Sequence, residues 1–310
     1  MSDTVEIPIS GTVQNNVRVN VRQGSPSTAA PILRKLDPGT TIQVAALAVG
    51  ESVNGNAHWY RISANTYIWA GACGELQQGA AITAAQPVAG LPSRSSRLNQ
   101  IPLVIDISHG DGVTSFQDAK NAGLVGVIHK ATTGATGQDD AHAARRKDAL
   151  KAGLLWGAYH WGTAAPVADQ VKNFISWTGA DKDESMLVAL DFEATPGNQM
   201  TIDDAREFCQ QIYTTLGRRP VIYSGDTLKS ALGSAKDPFF SDHRLWLAQY
   251  DSNPSVQSSW DSFWLWQYTD GDSGPPSCRA VTGVTGDSKG RLDCDYFDGD
   301  AATLASQWAS

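Results

Sequence analysis

The sequence predicts an α/β protein: an incomplete barrel of eight strands and five helices, behind a small all-β domain. Three observations carry this. Residues 101–310 alternate short apolar runs with helical patterns, the mark of strand–helix units and a mainly parallel sheet. The alternation stops after the fifth strand, so the last three strands are joined by loops. Residues 1–76 show alternating valines and hairpin turns instead. Residues 77–100 (QQGAAITAAQPVAGLPSRSSRLNQ) read as a semi-extended linker.

In the first domain, Val17, Val19 and Val21 alternate with polar residues, as on a half-buried strand. Asp37-Pro38-Gly39 reads as a turn and Asn54-Gly55-Asn56 as a hairpin. Trp59-Tyr60 and Tyr67-Ile68-Trp69 fall on the later strands. Five basic residues balance five acidic ones in residues 1–76, so the net charge of −8 belongs to the remainder.

In the second domain the expected strands are 102–107, 125–131, 154–161, 186–192, 220–224, 245–250, 263–268 and 291–297. Helices are expected near 114–122, 138–152, 166–178, 201–216 and 226–232, with Gly123, Gly153 and Gly217 as stops. The result is an incomplete TIM-like barrel.

The bulk numbers exclude several partners. A net charge of −8 argues against nucleic acid and against an anionic membrane surface. No apolar run reaches the roughly 20 residues of a membrane helix. The start, Met-Ser-Asp-Thr-Val-Glu-Ile-Pro, has no basic segment or apolar core, so no secretory signal is expected. Cys73, Cys209, Cys278 and Cys294 form no C-x-x-C pair, which disfavours a metal or redox site. Cys278 and Cys294 bracket a Gly-rich loop and could pair, but free thiols are expected. No cofactor is expected.

The chemistry gathers at strand ends. Met186-Leu187-Val188-Ala189-Leu190-Asp191-Phe192-Glu193 is an apolar run closing on two carboxylates at i, i+2. On a strand these share one face, with Cα atoms roughly 6.5 Å apart. That separation suits a proton donor beside an anionic helper in glycoside cleavage. A D-x-E pair by itself reads first as two solvated acids at a strand end. In α/β barrels, however, the catalytic groups sit at the C-terminal strand ends. Those ends give Asp106, His129 with Lys130, Tyr159 with His160, Asp191 with Glu193, Tyr223, Tyr250 with Asp251, Gln267 with Tyr268, and Asp293 with Asp295. Converging acids raise one another's pKa, which keeps one of them protonated near neutral pH. Taken alone, His129 and His160 read as structural histidines, and Asp251, near Asn253-Pro254, as a turn residue.

Together these segments match a family. Ile105-Asp106-Ile107-Ser108-His109, Trp156-Gly157-Ala158-Tyr159-His160, Leu190-Asp191-Phe192-Glu193, Leu245-Trp246-Leu247-Ala248-Gln249-Tyr250 and Trp266-Gln267-Tyr268 resemble glycoside hydrolase family 25, the Chalaropsis-type lysozymes. The resemblance spans about residues 101–300. It implies a flattened eight-stranded barrel with five helices, and hydrolysis of the β-1,4 bond between N-acetylmuramic acid and N-acetylglucosamine in peptidoglycan. By position it implies Glu193 as general acid and Asp191 as the acid assisting the substrate's N-acetyl group, with retention. It implies Asp106 as the first-strand acid and Asp293 as the late-strand acid, with Asp295 in the same short segment as the alternative. Tyr159, Tyr223 and Trp246 resemble substrate contacts, and His160, Gln267 and Tyr268 join them as expected binding residues. One departure is Lys130-Ala131-Thr132-Thr133-Gly134, where the family commonly has Glu at the position of Thr133.

Val19-Asn20-Val21-Arg22, Leu36-Asp37-Pro38-Gly39-Thr40 and Trp59-Tyr60-Arg61-Ile62 resemble bacterial Src-homology-3-like modules. This implies a wall-binding domain that uses Trp59, Tyr60, Tyr67 and Trp69 and reaches glycan strands or stem peptides. The same aromatics read equally as the core of a small barrel. A monomer is expected. A chitinase-like pattern needs further acids where Val188, Ala189 and Leu190 stand, and a metal hydrolase needs an H-x-H pair that the chain lacks. A wall-binding protein without activity conflicts with the intact acids. Synthesis in the cytoplasm and release to the wall through holin pores, as a phage endolysin, is the expected biology; an effector delivered by a secretion machine is the alternative.

Overall fold

The computed structural model describes residues 6–63, 66–74, 76 and 93–309. The chain divides into two compact units, within residues 1–89 and 90–310. Most of the expected linker, residues 77–92, lies outside the described residues.

The first unit is all-β: β1 (Glu6–Gln14), β2 (Val19–Gln23), β3 (Ile32–Leu36), β4 (Thr41–Val53), β5 (Asn56–Ser63) and β6 (Thr66–Trp69). They form one antiparallel sheet in the order β1-β4-β5-β6-β2-β3. Asn54 and Gly55 turn between β4 and β5 with φ of 50° and 82°. Positive φ at both central residues is what a tight hairpin with native twist requires. Val13, Val19, Val21, Ile42, Val44 and Ile68 form the core, whereas Val17 precedes β2 and is exposed.

The second unit contains β7 (Val104–Ile107), β8 (Gly112–Val113), β9 (Gly126–Thr133), β10 (Gly137–Gln138), β11 (Leu155–Trp161), β12 (Leu187–Asp191), β13 (Val221–Ser224), β14 (Leu245–Ala248), β15 (Leu265–Thr269), β16 (Val284–Gly286) and β17 (Asp293–Phe297). Seven of them, from β7 through β9, β11, β12, β13 and β14 to β15, run parallel. β17 closes the barrel, antiparallel to both β15 and β7. All eight expected barrel strands are present, and hydrogen bonds close the ring, so "incomplete" applies to the helices only.

The five expected helices are α2 (Phe116–Ala122), α3 (His142–Lys151), α4 (Val167–Thr178), α5 (Ile202–Leu216) and α6 (Asp226–Leu232). Three short ones add to them: α1 (Arg94–Leu98), α7 (Pro238–Ser241) and α8 (Ala301–Gln307). The count of five is thus corrected to eight α-helices among the described residues. The linker expectation also needs correction at its end. Residues 94–98 are helical, Leu98 is buried in the barrel's outer core, and Arg97 bonds Tyr296, Asp298 and the carbonyls of Phe297 and Gly299.

Two apolar layers follow from the period of two along strands. Val188, Leu190, Phe192, Phe174 and Phe208 fill the layer between sheet and helices. Val104, Ile128, Leu187, Ala189, Val221 and Leu265 face inward. Leu304 and Trp308 from the C-terminal segment join that inner cluster. Trp308 donates Nε1–H to the Trp156 carbonyl at 2.8 Å. It packs so closely on Gly126 that a Cβ there would meet its ring at 2.6 Å, which requires glycine.

Candidate active site

The parity that sends Leu187 and Ala189 inward also turns Asp191 inward at the end of β12. The chain stays extended past it, with Phe192 N–H bonded to the Tyr223 carbonyl, so Glu193 shares the face of Asp191. Both line one cleft with Asp106, Tyr159, Trp161, Tyr223, Trp246, Tyr250, Gln267, Asp270 and Asp293. Asp106 and Asp293 are register partners across β7 and β17, and Asp191 neighbours Trp161 and Tyr223. The four expected acids therefore meet at one rim. Another cavity, lined by Arg97, Leu98, Ile101, Leu103, Tyr296 and Phe297, holds none of these four acids.

The acids differ in their surroundings. Asp191 is buried, and its Oδ1 has no hydrogen-bond partner. Burial first, then the nearby Glu193, pushes its carboxyl well above the usual range, while Lys130 pulls it back. Glu193 is half-buried and is raised by burial. Asp293 is pushed up to about 7 by burial and by Asp111, Asp270 and Glu193. Asp106 is raised well above the usual range by burial, then by Asp293 and Asp295. Lys130 reaches over the Trp161 ring, 4.5 Å from its centroid.

Tyr159 and Tyr223 stand in the cleft, packed against the Trp246 ring at 6.3 and 4.5 Å. Trp246 is 1% exposed and ties its Nε1–H to Asp295 at 2.6 Å, so it is a wall of the cleft and not a free platform. Gln267 is committed too: its Oε1 accepts from Tyr223 and Tyr250 at 2.8 and 2.6 Å, and its Nε2 donates to Asp106 at 2.7 Å.

Two expected binding residues lie outside the cleft. His160 follows inward-facing Tyr159 and so points outward. It is buried between Thr132 and Gln170 at 2.7 and 3.0 Å and stacks on Phe208. Tyr268 follows inward-facing Gln267 and donates its hydroxyl to the Cys278 carbonyl at 2.6 Å, within the outer core. His129 likewise faces outward, stacked on Trp156. Asp251 is exposed and accepts from Gln249 and Asn253, the turn role expected of it. Tyr250, a strand-end candidate, lines the cleft, and so do Trp161 and Asp270, which were not among the expected groups. The signal for Trp161 was its even spacing from Tyr159.

In the first unit, Trp59 is 1% and Tyr67 4% exposed. Trp59 donates to the Glu51 carbonyl and Tyr67 to Glu6, so both are core residues and cannot touch a wall polymer. Tyr60 and Trp69 are half-buried.

Comparison with known proteins agrees with the geometry. The profile of glycosyl hydrolases family 25 matches residues 105–275. Lysozyme M1 of Streptomyces globisporus is 29% identical over 219 residues, 64% of this chain and 69% of that protein. The crystal structure of the lysozyme from Streptomyces coelicolor superposes with a TM-score of 0.57 at 28% identity, covering 66% of this chain and 95% of that one. The muramidase from Acremonium alcalophilum gives a TM-score of 0.53 at 27% identity, over 65% of this chain and 96% of that one.

Proposed function

The chain belongs to glycosyl hydrolase family 25 and is a glycoside hydrolase; from that premise we propose that it is an N-acetylmuramidase, cutting the β-1,4 bond between N-acetylmuramic acid and N-acetylglucosamine in peptidoglycan. One observation carries the reading most directly. Asp191, with an unpartnered buried oxygen, and Glu193, with a raised pKa, line the same cleft.

The two acids divide the work. Glu193 keeps its proton closer to neutral pH than an ordinary glutamate and donates it to the departing glycosidic oxygen. The free oxygen of Asp191 accepts the N–H of the substrate's acetamido group. That contact supports the acetamido oxygen as it attacks the anomeric carbon and supplies the partner the carboxylate lacks without substrate. Water then opens the cyclic intermediate, with Glu193 as base, and the configuration is retained. Asp106 and Asp293 add negative potential beside the developing positive charge. Trp161 offers a ring face for a sugar. Reduction of digestion products with borohydride, followed by mass spectrometry, tests the reading. Reduced N-acetylmuramic acid ends support it. Reduced N-acetylglucosamine ends would make the enzyme a glucosaminidase and overturn it.

The N-terminal unit is proposed to be a Src-homology-3-like module that binds the wall, through Tyr60 and Trp69 in place of the buried Trp59 and Tyr67. A module tied to the enzyme raises its concentration at an insoluble substrate. Comparison of the full chain with residues 93–310 tests this: the shorter chain should match it on soluble fragments and lag on whole walls. Equal rates on both would remove the targeting role. The pairing of a wall-cutting barrel with a separate module is what suggests a phage endolysin. Holin genes beside the gene would support that role, and secretion-system genes would favour an effector.

A further inference from the structure

The cleft is acidic. Asp106, Asp191, Glu193, Asp270 and Asp293 line it, and no lysine or arginine does. One cation stands at its edge. Lys130 is the register partner of inward-facing Tyr159, so it leaves β9 toward the inside of the barrel. The pairing of β9 with β11 then skips Ala131, a bulge, and resumes with Thr132 opposite His160. The extra residue brings Thr133 back to the inward face, opposite Trp161. Lys130 and Thr133 therefore flank Trp161, and Lys130 Nζ lies 4.5 Å from the centre of its ring. The ring itself is fixed, because its Nε1–H donates to Thr195 Oγ1 at 2.9 Å. Trp161 is in turn the register partner of Asp191 on β12.

The ammonium has no anion of its own. Among the described residues, no carboxylate lies within ion-pair distance of Lys130. Arg291, another basic group whose charge reaches the rim, is held by Asp287 through contacts at 2.9 and 2.6 Å. Lys130 is half-buried, so a solute can reach it. The substrate's chemistry supplies an anion. On muramic acid, the carbon of the cut bond, the acetamido carbon and the carbon bearing the lactyl ether are consecutive in the ring. With Glu193 at the cut bond and Asp191 on the acetamido group, the lactyl ether projects to one side of Asp191. On the β13 side stands Tyr223, whose hydroxyl is spent on Gln267 at 2.8 Å. On the β11 side stand Trp161 and Lys130. The lactyl group ends in a carboxylate or continues into a stem peptide that carries carboxylates. Beside so many acids such a group is repelled unless a cation meets it.

We propose that Lys130 is the subsite for the acidic side chain of muramic acid: its ammonium pairs with a carboxylate carried on the lactyl ether, and the sugar uses the Trp161 face that the lysine leaves open. The proposal rests on the muramidase reading and narrows it, because the enzyme then reads a group that chitin lacks. The chemistry recognised is a carboxylate. Its source, the lactyl group itself or the stem peptide, is told by which substrate responds to the loss of the lysine.

The test compares soluble glycan freed of its stem peptides by an amidase, which exposes the lactyl carboxylate, with the same glycan capped as a neutral methylamide. Glycan with intact stem peptides is the remaining arm. The readout is the ratio of kcat/KM on an anionic glycan to kcat/KM on the capped one. Lys130→Met keeps an unbranched stem over Trp161 and removes the charge. It should lower that ratio by about fivefold, mostly through KM, which is the upper end for a partly exposed ion pair. Lys130→Arg should restore most of the ratio, and added salt should shrink the wild-type preference. Thr133→Glu, which gives the lysine an internal carboxylate across Trp161, should lower the ratio as well. A loss on freed glycan makes the lactyl carboxylate the partner, and a loss on stem-bearing glycan alone makes it a stem carboxylate. If Lys130→Met keeps the wild-type ratio on both anionic glycans, the proposal is overturned, because any effect that Lys130 exerts through Asp191 lowers every rate alike. A wild type that cuts none of these glycans would overturn the muramidase reading, and the proposal with it.

Discussion

Gln267 donates its side-chain N–H to Asp106 at 2.7 Å across the buried centre of the barrel, linking two strands 161 residues apart in sequence. The contact explains why an amide and not an acid stands at this strand end. A donor is required toward Asp106, and an acceptor toward the hydroxyls of Tyr223 and Tyr250.

Gln267→Glu keeps the acceptor and removes the donor. It places another carboxyl against Asp106, where burial already raises Asp106, Asp293 and Asp295. We expect at least about a tenfold loss in kcat/KM, because a buried hydrogen bond to a charged group is worth about 1.5–3 kcal/mol. Steady-state kinetics on soluble peptidoglycan check this, and a rate within twofold of wild type would show that the contact is dispensable.

His160 is a structural residue in this fold. Its ring nitrogens meet Thr132 and Gln170, and burial lowers its pKa to about 4, so it is neutral at pH 7. His160→Ala should cost about 2–4 kcal/mol of stability, from a cavity beside Phe208 and unpaired partners, and should leave KM unchanged. Denaturant unfolding and kinetics on the same preparation separate the two effects. A raised KM with unchanged stability would return His160 to the binding site.

That residue also shows what the sequence reveals and what it hides. Apolar runs bounded by turn residues placed all eight barrel strands, because strand burial leaves a direct trace in hydrophobicity. The ends of those strands held the four acids for the same reason. Adjacent residues at one end were assigned to the site together, yet they alternate in direction: Tyr159 and Gln267 face the cleft, and His160 and Tyr268 face the helices. Parity was available and would have chosen Trp161 instead. Helix α8 was missed because Ala301–Gln307 is short and weakly apolar. The Leu304 and Trp308 spacing of four was its trace. The burial of Trp59 and Tyr67 depends on which face of a small sheet packs inward, and composition does not report that.

Asp293 predicts a pH dependence of stability. Its folded value of about 7 lies above the unfolded value of about 4, so the folded protein binds this proton more tightly. Its stabilising contribution is complete below about pH 4 and is lost as pH rises through about 7. Thermal melts of wild type and Asp293→Asn should therefore diverge in favour of the variant between these values and run parallel above them. Curves that stay parallel throughout would place the Asp293 carboxyl at an ordinary pKa.

The central claim is that the end of β12 carries the chemistry, with Glu193 as proton donor. The direct measurement is the initial rate of peptidoglycan cleavage by Glu193→Gln, on protein whose melting temperature matches wild type. The amide fills the same space in the cleft but has no proton to give. The account predicts a loss of at least about 100-fold, the lower range for removing an acid catalyst. A folded Glu193→Gln enzyme that keeps more than about a tenth of the wild-type rate would contradict it.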